Sequence, residues 1–319
     1  MNDTLYWIYP ERTRRANDPA AWENYHAAAA KSGIELESIS VDDIEIAFDG
    51  SRAQVFVKQR AVDPLRDFFH NKLHTWPMFQ VDVWRSLSTF QGLESAGFCT
   101  LIPASHNILA NDKISTLIEF ADVPGVKHLS TLSVPTRDFL SLRLRPAEIG
   151  IDYPVVAKPA HWASGRGVTR AQDDGQLTMA LRLASAAELT MVVQPQVGLG
   201  RVLRDVRVMC VDRLPVLAAA RYQGADKTVN NAMGGGHTEI VAVPEELVEP
   251  AAAIAKRVDL AWMGVDFLHD GDEYYLSEIE IDAYLPNSWM AEPAMREVAD
   301  QRFRAYRAEF DRWRQQRNA

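Results

Sequence analysis

The chain has 319 residues, of which 47% are hydrophobic, so it is long enough for two or three compact domains with buried cores. Its 34 Lys and Arg are outnumbered by 43 Asp and Glu, and the net charge of -9 argues against a general nucleic-acid binder, which neutralises phosphates with excess cations. The chain lacks a signal-peptide pattern and a membrane-length apolar run, so we expect a cytoplasmic protein without membrane partners. Cys99 and Cys210 lie in apolar runs, which is typical of buried reduced thiols.

Apolar runs alternate with segments of helical periodicity along the first third of the chain. This pattern predicts an N-terminal α/β domain over residues 1–103. Gly33 is expected to end the first helix. The predicted strands are 5–9, 35–40, 54–58 and 97–102, and the predicted helices are 19–32 and 84–95.

Two further units are predicted, a small α/β domain over residues 104–197 and a strand-rich core over residues 198–319, so the fold class is α/β (α+β). The last helix, residues 292–316, carries an apolar stripe that indicates docking on the core rather than recognition of a partner. The stripe consists of Phe303, Tyr306, Phe310 and Trp313. The other predicted strands are 154–159, 190–194, 205–211, 216–221, 237–241, 263–268 and 273–281, and the other predicted helices are 176–188 and 245–260.

Two of the predicted strands carry carboxylates. Asp266 lies in the first, and Glu278 and Glu280 lie in the second, where alternate residues share one face of a strand. Carboxylates on rigid neighbouring strands suit Mg²⁺ that bridges nucleotide phosphates, because this ion accepts a few protein oxygens and keeps several waters. The alternative is a hairpin whose acids are simply solvated.

A lysine at position 158 is followed six residues later by a glycine-bearing turn. Lys158 ends an apolar run, and Ser164, Gly165 and Gly167 form the turn, whose backbone N–H groups can close over phosphates. The spacing fits neither a Walker loop nor a Rossmann fingerprint. An ordinary hairpin turn is the alternative.

Taken in order, the segments from about residue 111 to about residue 281 resemble the ATP-grasp superfamily, in particular the branch with glutathione synthetase and the ribosomal-protein glutamate ligases. The resemblance implies an ATP-grasp fold with an N-terminal α/β domain, a small central lid domain and a C-terminal mixed-sheet domain. Lys113 and Lys158 are its nucleotide lysines, and Ser164, Gly165 and Gly167 its phosphate-covering loop. The hinge beside adenine matches Gln194, Gln196 and Val197, where the family usually has a glutamate.

The resemblance also implies residues around the transferred phosphoryl group. Arg207 and Arg221 match the family's two phosphoryl-binding arginines, and Asn231, or its neighbour Asn230, matches an asparagine on the acceptor side. The magnesium carboxylates match Asp266 and Glu278. Glu280 replaces the usual asparagine, as in a subgroup with the D-cycloserine-forming synthetase, which closes a ring. His237 and Lys227 are candidates for contacting a substrate carboxylate or accepting the amine's proton, with a plain surface histidine as the alternative.

The function implied by this resemblance is an ATP-dependent carboxylate–amine ligase. It would activate a carboxylate as an acyl phosphate with release of ADP, using one or two Mg²⁺ ions, for which Mn²⁺ can substitute. An amine would then displace phosphate on a small amino-acid-like substrate, or within one molecule. Two alternatives stay open, a ligase that modifies a peptide or protein and an ATP-binding protein without catalysis. The family also makes a homodimer an expectation.

Overall fold

The computed structural model describes residues 3–9, 19–74, 82–136, 144–163, 165–197, 204–222 and 237–318. These residues form a mixed α/β structure with four sheets. The strands are β1 Asp3–Ile8, β2 Ile34–Ile39, β3 Ile44–Phe48, β4 Ala53–Val57, β5 Arg60–Ala61, β6 Asp67–Asn71, β7 Leu132–Pro135, β8 Val155–Pro159, β9 Thr169–Ala171, β10 Thr190–Pro195, β11 Arg204–Val211, β12 Leu214–Tyr222, β13 His237–Val241, β14 Trp262–His269 and β15 Tyr274–Glu280. The helices are α1 Pro19–Lys31, α2 Val83–Ser95, α3 Ala104–Ala110, α4 Lys113–Glu119, α5 Asp174–Ser185, α6 Glu245–Val258 and α7 Pro293–Asn318.

The N-terminal region contains a parallel sheet in the order β2-β1-β6 and a small antiparallel sheet in the order β3-β4-β5. Helix α1 begins at Pro19, a residue whose fixed φ suits the first helical position. It ends at Lys31, and Gly33 follows with a φ of 69°, a conformation that glycine adopts without a Cβ penalty. The predicted end of this helix is confirmed.

The third strand of the parallel sheet is β6, which the sequence pattern did not predict. Residues 97–102, predicted as a strand, contribute only one bridge, between Thr100 and Phe69. The amide of Phe69 donates to the carbonyl of Cys99 at 2.9 Å, and the amide of Leu101 donates to the carbonyl of Phe69 at 2.8 Å. Helix α3 then begins at Ala104, so the pairing stops after these two hydrogen bonds. The prediction of a full strand here was wrong.

The central sheet has the order β7-β10-β8-β9, and its described pairings are antiparallel. Helix α5 covers it through buried Leu177 and Leu181, and the side chain of Asp173 caps the helix by accepting from the amide of Gln176 at 2.9 Å. Lys158 lies on β8 directly opposite Val192 of β10.

The largest sheet is antiparallel and has the order β13-β12-β11-β14-β15. One face packs against α6 through residues such as Val206, Val208 and Val265. At the other face, α7 lies in a core shared with the N-terminal parallel sheet, where Phe303 and Phe310 are fully buried. The predicted docking of the last helix through its apolar stripe is therefore confirmed.

Both cysteines, Cys99 and Cys210, are buried free thiols, as predicted. Burial raises the pKa of each thiol well above its usual range. Among the described residues, no helix is both long enough and apolar enough to cross a membrane.

Candidate active site

The predicted carboxylates meet on the hairpin of β14 and β15. Asp266 pairs with Glu278, and Gly264 pairs with Glu280. The register then shifts, since Phe267 pairs with Leu276 and leaves Ser277 as an extra residue in β15. This bulge lets Leu276 and Ile279, three positions apart, both pack in the core beside α6. Glu278 and Glu280 consequently share the opposite face of the sheet with Asp266.

Two arginines bind Asp266 on that face. Arg207 of β11 donates from Nε and Nη2 to the two carboxylate oxygens, each at 2.7 Å. Arg221 of β12 donates from Nη2 to Asp266 Oδ2 at 2.8 Å and to Asp205 Oδ1 at 2.6 Å. Burial alone would raise the pKa of Asp266, but the two guanidinium groups outweigh it and hold this pKa below its usual range. Burial instead raises the pKa of Asp205 above its usual range, despite Arg221.

Gly264 makes room for the Arg207 side chain. A Cβ atom at Gly264 would lie 3.2 Å from Arg207 Cδ and 3.1 Å from Ala283 Cβ, which is tighter than ordinary packing. The absence of a side chain at this position therefore allows Arg207 to lie across β14 and reach Asp266.

The two predicted nucleotide lysines lie where the central sheet meets the carboxylate hairpin. Lys113 begins α4, where Asp112 is the N-cap, and its Nζ donates to the carbonyl of Trp162 at 2.7 Å. The same Nζ lies 3.7 Å from Glu278 Oε2. Burial of Lys158, together with the charge of Lys113, lowers the pKa of Lys158 to about 8. Two ammonium groups and a carboxylate therefore interact across the junction of the central and C-terminal sheets.

A cleft opens at this junction. Its lining includes side chains from the N-terminal, central and C-terminal regions, and charged groups of both signs. These residues include Lys72, His74, Asn111, Lys113, Glu278 and Glu280.

The predicted phosphate-covering loop is described except for Ser164. Gly165 and Gly167 both have positive φ, 69° and 70°. A Cβ at Gly167 would lie 2.7 Å from Pro159 Cγ and 3.1 Å from the ring of Trp162, so this turn packs closely on the strand that carries Lys158.

The predicted hinge follows β10. Gln194 is buried and donates from Nε2 to Thr131 Oγ1 at 2.9 Å. The amide of Gln196 donates to the carbonyl of Pro154 at 2.9 Å, whereas its side-chain oxygen is buried and has no hydrogen-bond partner among the described residues. Val197 follows it, half-buried. An acceptor left unpaired in this way can accept a hydrogen bond from a bound molecule.

His237 does not lie on the face that carries the carboxylates. It is exposed on β13 and stacks on Tyr222, with ring centroids 4.7 Å apart and an interplanar angle of 12°. Tyr222 packs against the core beside α6, while Arg221, its neighbour along β12, faces Asp266. A catalytic role for His237 therefore gains no support from its position. Asn231, Asn230 and Lys227 lie outside the described residues.

Lys72 is a site residue that sequence reasoning missed. It follows β6 in the N-terminal region and forms an ion pair with Glu280, 208 positions away. The sequence carries no local signal for this contact, because no recognisable motif contains both residues.

The described carboxylates are not gathered into a ready metal centre. Within the described ranges, no group of three or more His, Cys, Asp or Glu side chains is close enough together to hold an ion. Asp266 is bound by arginines and Glu280 by Lys72. Their chemistry nevertheless fits Mg²⁺, since hard carboxylate oxygens stand on one face of a rigid hairpin. Metal binding would require these side chains to exchange basic partners for the ion.

More than half of the chain matches known proteins in sequence. A model of the RimK-like ATP-grasp domain matches residues 105–291, more than half of the chain. Over 196 residues, the chain is 26% identical to the coenzyme gamma-F420-2:alpha-L-glutamate ligase of Methanococcus maripaludis, and this match covers 61% of the chain. It covers 66% of the relative, slightly less than two thirds of that protein's length.

Solved structures share the fold over nearly the whole chain. D-cycloserine synthetase DcsG has a TM-score of 0.63 and 18% identity, with 96% of this chain and 99% of that chain covered. The ATP-grasp ligase PsnB, complexed with a phosphomimetic variant of its minimal precursor, Mg and ADP, has a TM-score of 0.64 and 15% identity, with 95% and 99% covered. Identities this low show the fold alone. The match of the family model over residues 105–291 shows that the chain belongs to the RimK-like ATP-grasp family.

Proposed function

We propose that this protein is an ATP-dependent carboxylate–amine ligase that activates a carboxylate as an acyl phosphate and joins it to an amine. The observation that carries the proposal is the arrangement of charge around one junction. Four cations, Lys113, Lys158, Arg207 and Arg221, surround the face that bears Asp266. Phosphoryl transfer needs mainly positioned positive charge, because the transferred group carries its charge on peripheral oxygens.

Two lysines, a glycine-bearing turn and two glutamines form the nucleotide site in this proposal. Lys113 and Lys158 bind ATP phosphates, and the turn at Gly165 and Gly167 closes over them through backbone N–H groups. Gln196 accepts a hydrogen bond from the adenine amino group, which would pair its orphaned side-chain oxygen. Gln194, which donates a hydrogen bond to Thr131, holds the hinge segment in place.

The metal site is proposed on the hairpin, with Asp266, Glu278 and Glu280 as ligands. A bound Mg²⁺ would supply charge neutralisation at the β- and γ-phosphates. The arginines that now hold Asp266 would then turn toward the transferred phosphoryl group, since a guanidinium binds phosphate oxygens as readily as carboxylate oxygens.

In the first step, one oxygen of the substrate carboxylate forms a bond to the γ-phosphorus of ATP while the bond to ADP breaks. An amine then attacks the acyl carbon, loses a proton and displaces phosphate, which leaves an amide. Arg207 and Arg221 stabilise charge in the first step. The substrate class is a small amino-acid-like acid, with an amine from a second molecule or from the same one.

A peptide substrate is the second candidate. It is favoured by the structural similarity to PsnB, whose complex contains a precursor and ADP. The F420 relative is instead named for ligation of glutamate to a coenzyme. The two candidates share the chemistry and differ in the acid that enters the cleft.

The test supplies Mg-ATP, a panel of amino and carboxylic acids, and hydroxylamine in place of the unknown amine. We expect ADP together with an acid-dependent hydroxamate, and we expect loss of both with Asp266→Asn. Formation of AMP and pyrophosphate would overturn the acyl-phosphate mechanism. If no acid of the panel gives a hydroxamate but a peptide carboxylate does, the second candidate function is favoured.

A further inference from the structure

The ion pair between Lys72 and Glu280 joins the N-terminal region to the proposed metal hairpin. The Lys72 side chain is 13% exposed and that of Glu280 is 21% exposed, so both charges are largely withdrawn from water. Among the described residues, Glu280 is the ion-pair partner of Lys72. An ammonium group in such a place is costly without an anion beside it.

A buried side chain fixes the main chain on both sides of Lys72. Asn107 is fully buried, and its Nδ2 donates to the carbonyl of Asn71 at 2.9 Å. Its Oδ1 accepts from the amide of Leu73 at 2.6 Å. The position of Lys72 at the cleft is therefore built into the fold and does not depend on Glu280 alone.

Glu280 is arranged so that it can change partners. Its Oε1 accepts from Lys72 and also from the amide of Asp282 at 3.3 Å. Within the described ranges, Oε2 accepts no hydrogen bond. A metal ion at Glu280 would compete with the Lys72 ammonium for the same carboxylate, since two cations repel at contact distance.

We propose that Lys72 binds the reacting carboxylate of the acid substrate and that Glu280 is its substitute partner while metal is absent. This inference rests on the proposed ligase function and names the residue that recognises the acid. Metal binding at Glu280 would release the Lys72 ammonium, which would then be available to a carboxylate bound in the same cleft. Lys72 lies outside residues 105–291, so this cation is contributed by the N-terminal region and not by the family domain.

The first experiment measures metal binding and needs no turnover. Mn²⁺ affinity is measured by electron paramagnetic resonance in the presence of the ATP analogue AMPPNP, for wild type, Lys72→Met, Glu280→Gln and the double variant. Lys72→Met is expected to tighten Mn²⁺ binding several-fold, because a competitor for Glu280 is removed. The same substitution in the Glu280→Gln background is expected to change nothing. Unchanged or weaker binding in Lys72→Met, or the same tightening in both backgrounds, would overturn the exchange of partners.

The second experiment measures the acid. In the hydroxamate assay, Lys72→Met is expected to raise the KM for the acid about tenfold or more, while the KM for ATP and kcat change by less than about threefold. Lys72→Arg keeps the charge and is expected to retain most of the acid affinity. The matched control is Lys127→Met, since Lys127 pairs with Glu273 just before β15 but both side chains are about half exposed.

The outcomes separate this inference from the proposed function. If wild type forms hydroxamate and Lys72→Met leaves the KM for the acid unchanged, the role of Lys72 is wrong and the ligase proposal stands. The same holds if Lys72→Met raises the KM values for ATP and acid equally, because that would indicate a structural role. If wild type activates neither an acid nor a peptide, the ligase proposal and acid recognition by Lys72 both fail.

Discussion

Arg302 of α7 is expected to be a major source of stability, because it is a buried charge with a buried partner. The Arg302 side chain is fully buried and donates from Nη2 to Asp282, while its Nε donates to the hydroxyl of Tyr306 at 2.9 Å. Its guanidinium carbon lies 4.7 Å from the ring centre of Trp7 and 4.9 Å from that of Trp262. The group therefore connects the N-terminal sheet, the C-terminal sheet and the last helix.

The perturbation is Arg302→Met, which keeps much of the side-chain volume and removes the charge. Asp282 would then stay buried, and its nearest basic side chain among the described residues would be His70, at 3.5 Å. Burial lowers the pKa of His70 to about 3, so this imidazole is neutral near pH 7 and does not replace the guanidinium. Breaking a buried ion pair in this way costs about 3–5 kcal/mol, a large part of the 5–15 kcal/mol that stabilises a typical domain.

Equilibrium unfolding in urea at pH 7 is the assay, with the exposed Arg304→Met on the same helix as the control. Arg304 pairs with Glu297, and both side chains are more than half exposed, so its removal is expected to leave the midpoint nearly unchanged. Adding Asp282→Asn to Arg302→Met is expected to recover part of the loss, because no uncompensated charge remains. A cost below about 1 kcal/mol for Arg302→Met, or fully additive losses in the double variant, would show that the buried pair of Arg302 and Asp282 does not stabilise the fold in this way.

Three further predictions concern pH, packing and nucleotide affinity. Burial lowers the pKa of His70 and of His74 to about 3, so their contribution to the free energy of unfolding is fully present above about pH 6.5 and is lost as the pH falls toward 3. At pH 5 we expect a loss of about 2 kcal/mol per histidine. Equal urea midpoints at pH 7 and pH 5 would contradict neutral buried imidazoles. Gly264→Ala is expected to displace Arg207 and to lower kcat about tenfold or more, with a loss of about 1–3 kcal/mol in the free energy of unfolding. An unchanged kcat would show that the added methyl group does not crowd Arg207. Burial lowers the pKa of Lys158 to about 8, so AMPPNP affinity measured by calorimetry should weaken as the pH rises from 7 to 9. This pH dependence should flatten in Lys158→Arg. The same pH dependence of affinity in wild type and variant would mean that another group titrates.

The carboxylate hairpin could be predicted from the sequence because its information is local. Both runs are apolar and strand-like, and they are joined by the short segment 270–273, so antiparallel pairing of neighbours is the simplest arrangement. Arg207 alternates with Val206 and Val208, which indicates that it faces away from the core. The bulge was not predictable, since the spacing of Leu276 and Ile279 suits a helix as well as a bulged strand.

Strand β6 escaped prediction because it is buried on both faces. Phe68 packs toward α7 and Phe69 toward α2, so no alternation of polar and apolar residues marks it. Its recognition as a strand depends on pairing with β1, whose residues lie 63 positions earlier in the chain. Contacts at this separation leave no trace in a local pattern.

The contacts of Lys72 and His237 were hidden for the same physical reason. The partner of Lys72 lies on another sheet, and the side of the sheet that His237 occupies depends on its register with Tyr222. A histidine after a glycine turn looks the same in sequence whichever face it takes, whereas a slip of one residue moves it to the other face.

Transfer of the γ-phosphoryl group to the acid is tested by following oxygen from the acid carboxylate. An acid that supports hydroxamate formation is labelled with ¹⁸O in both carboxylate oxygens, and the released phosphate and nucleotides are analysed by mass spectrometry. Acyl-phosphate chemistry leaves one carboxylate oxygen on the phosphorus, so we expect one ¹⁸O in each phosphate and none in ADP. Label in AMP, with none in phosphate, would show adenylation of the acid and would contradict the mechanism proposed for this site.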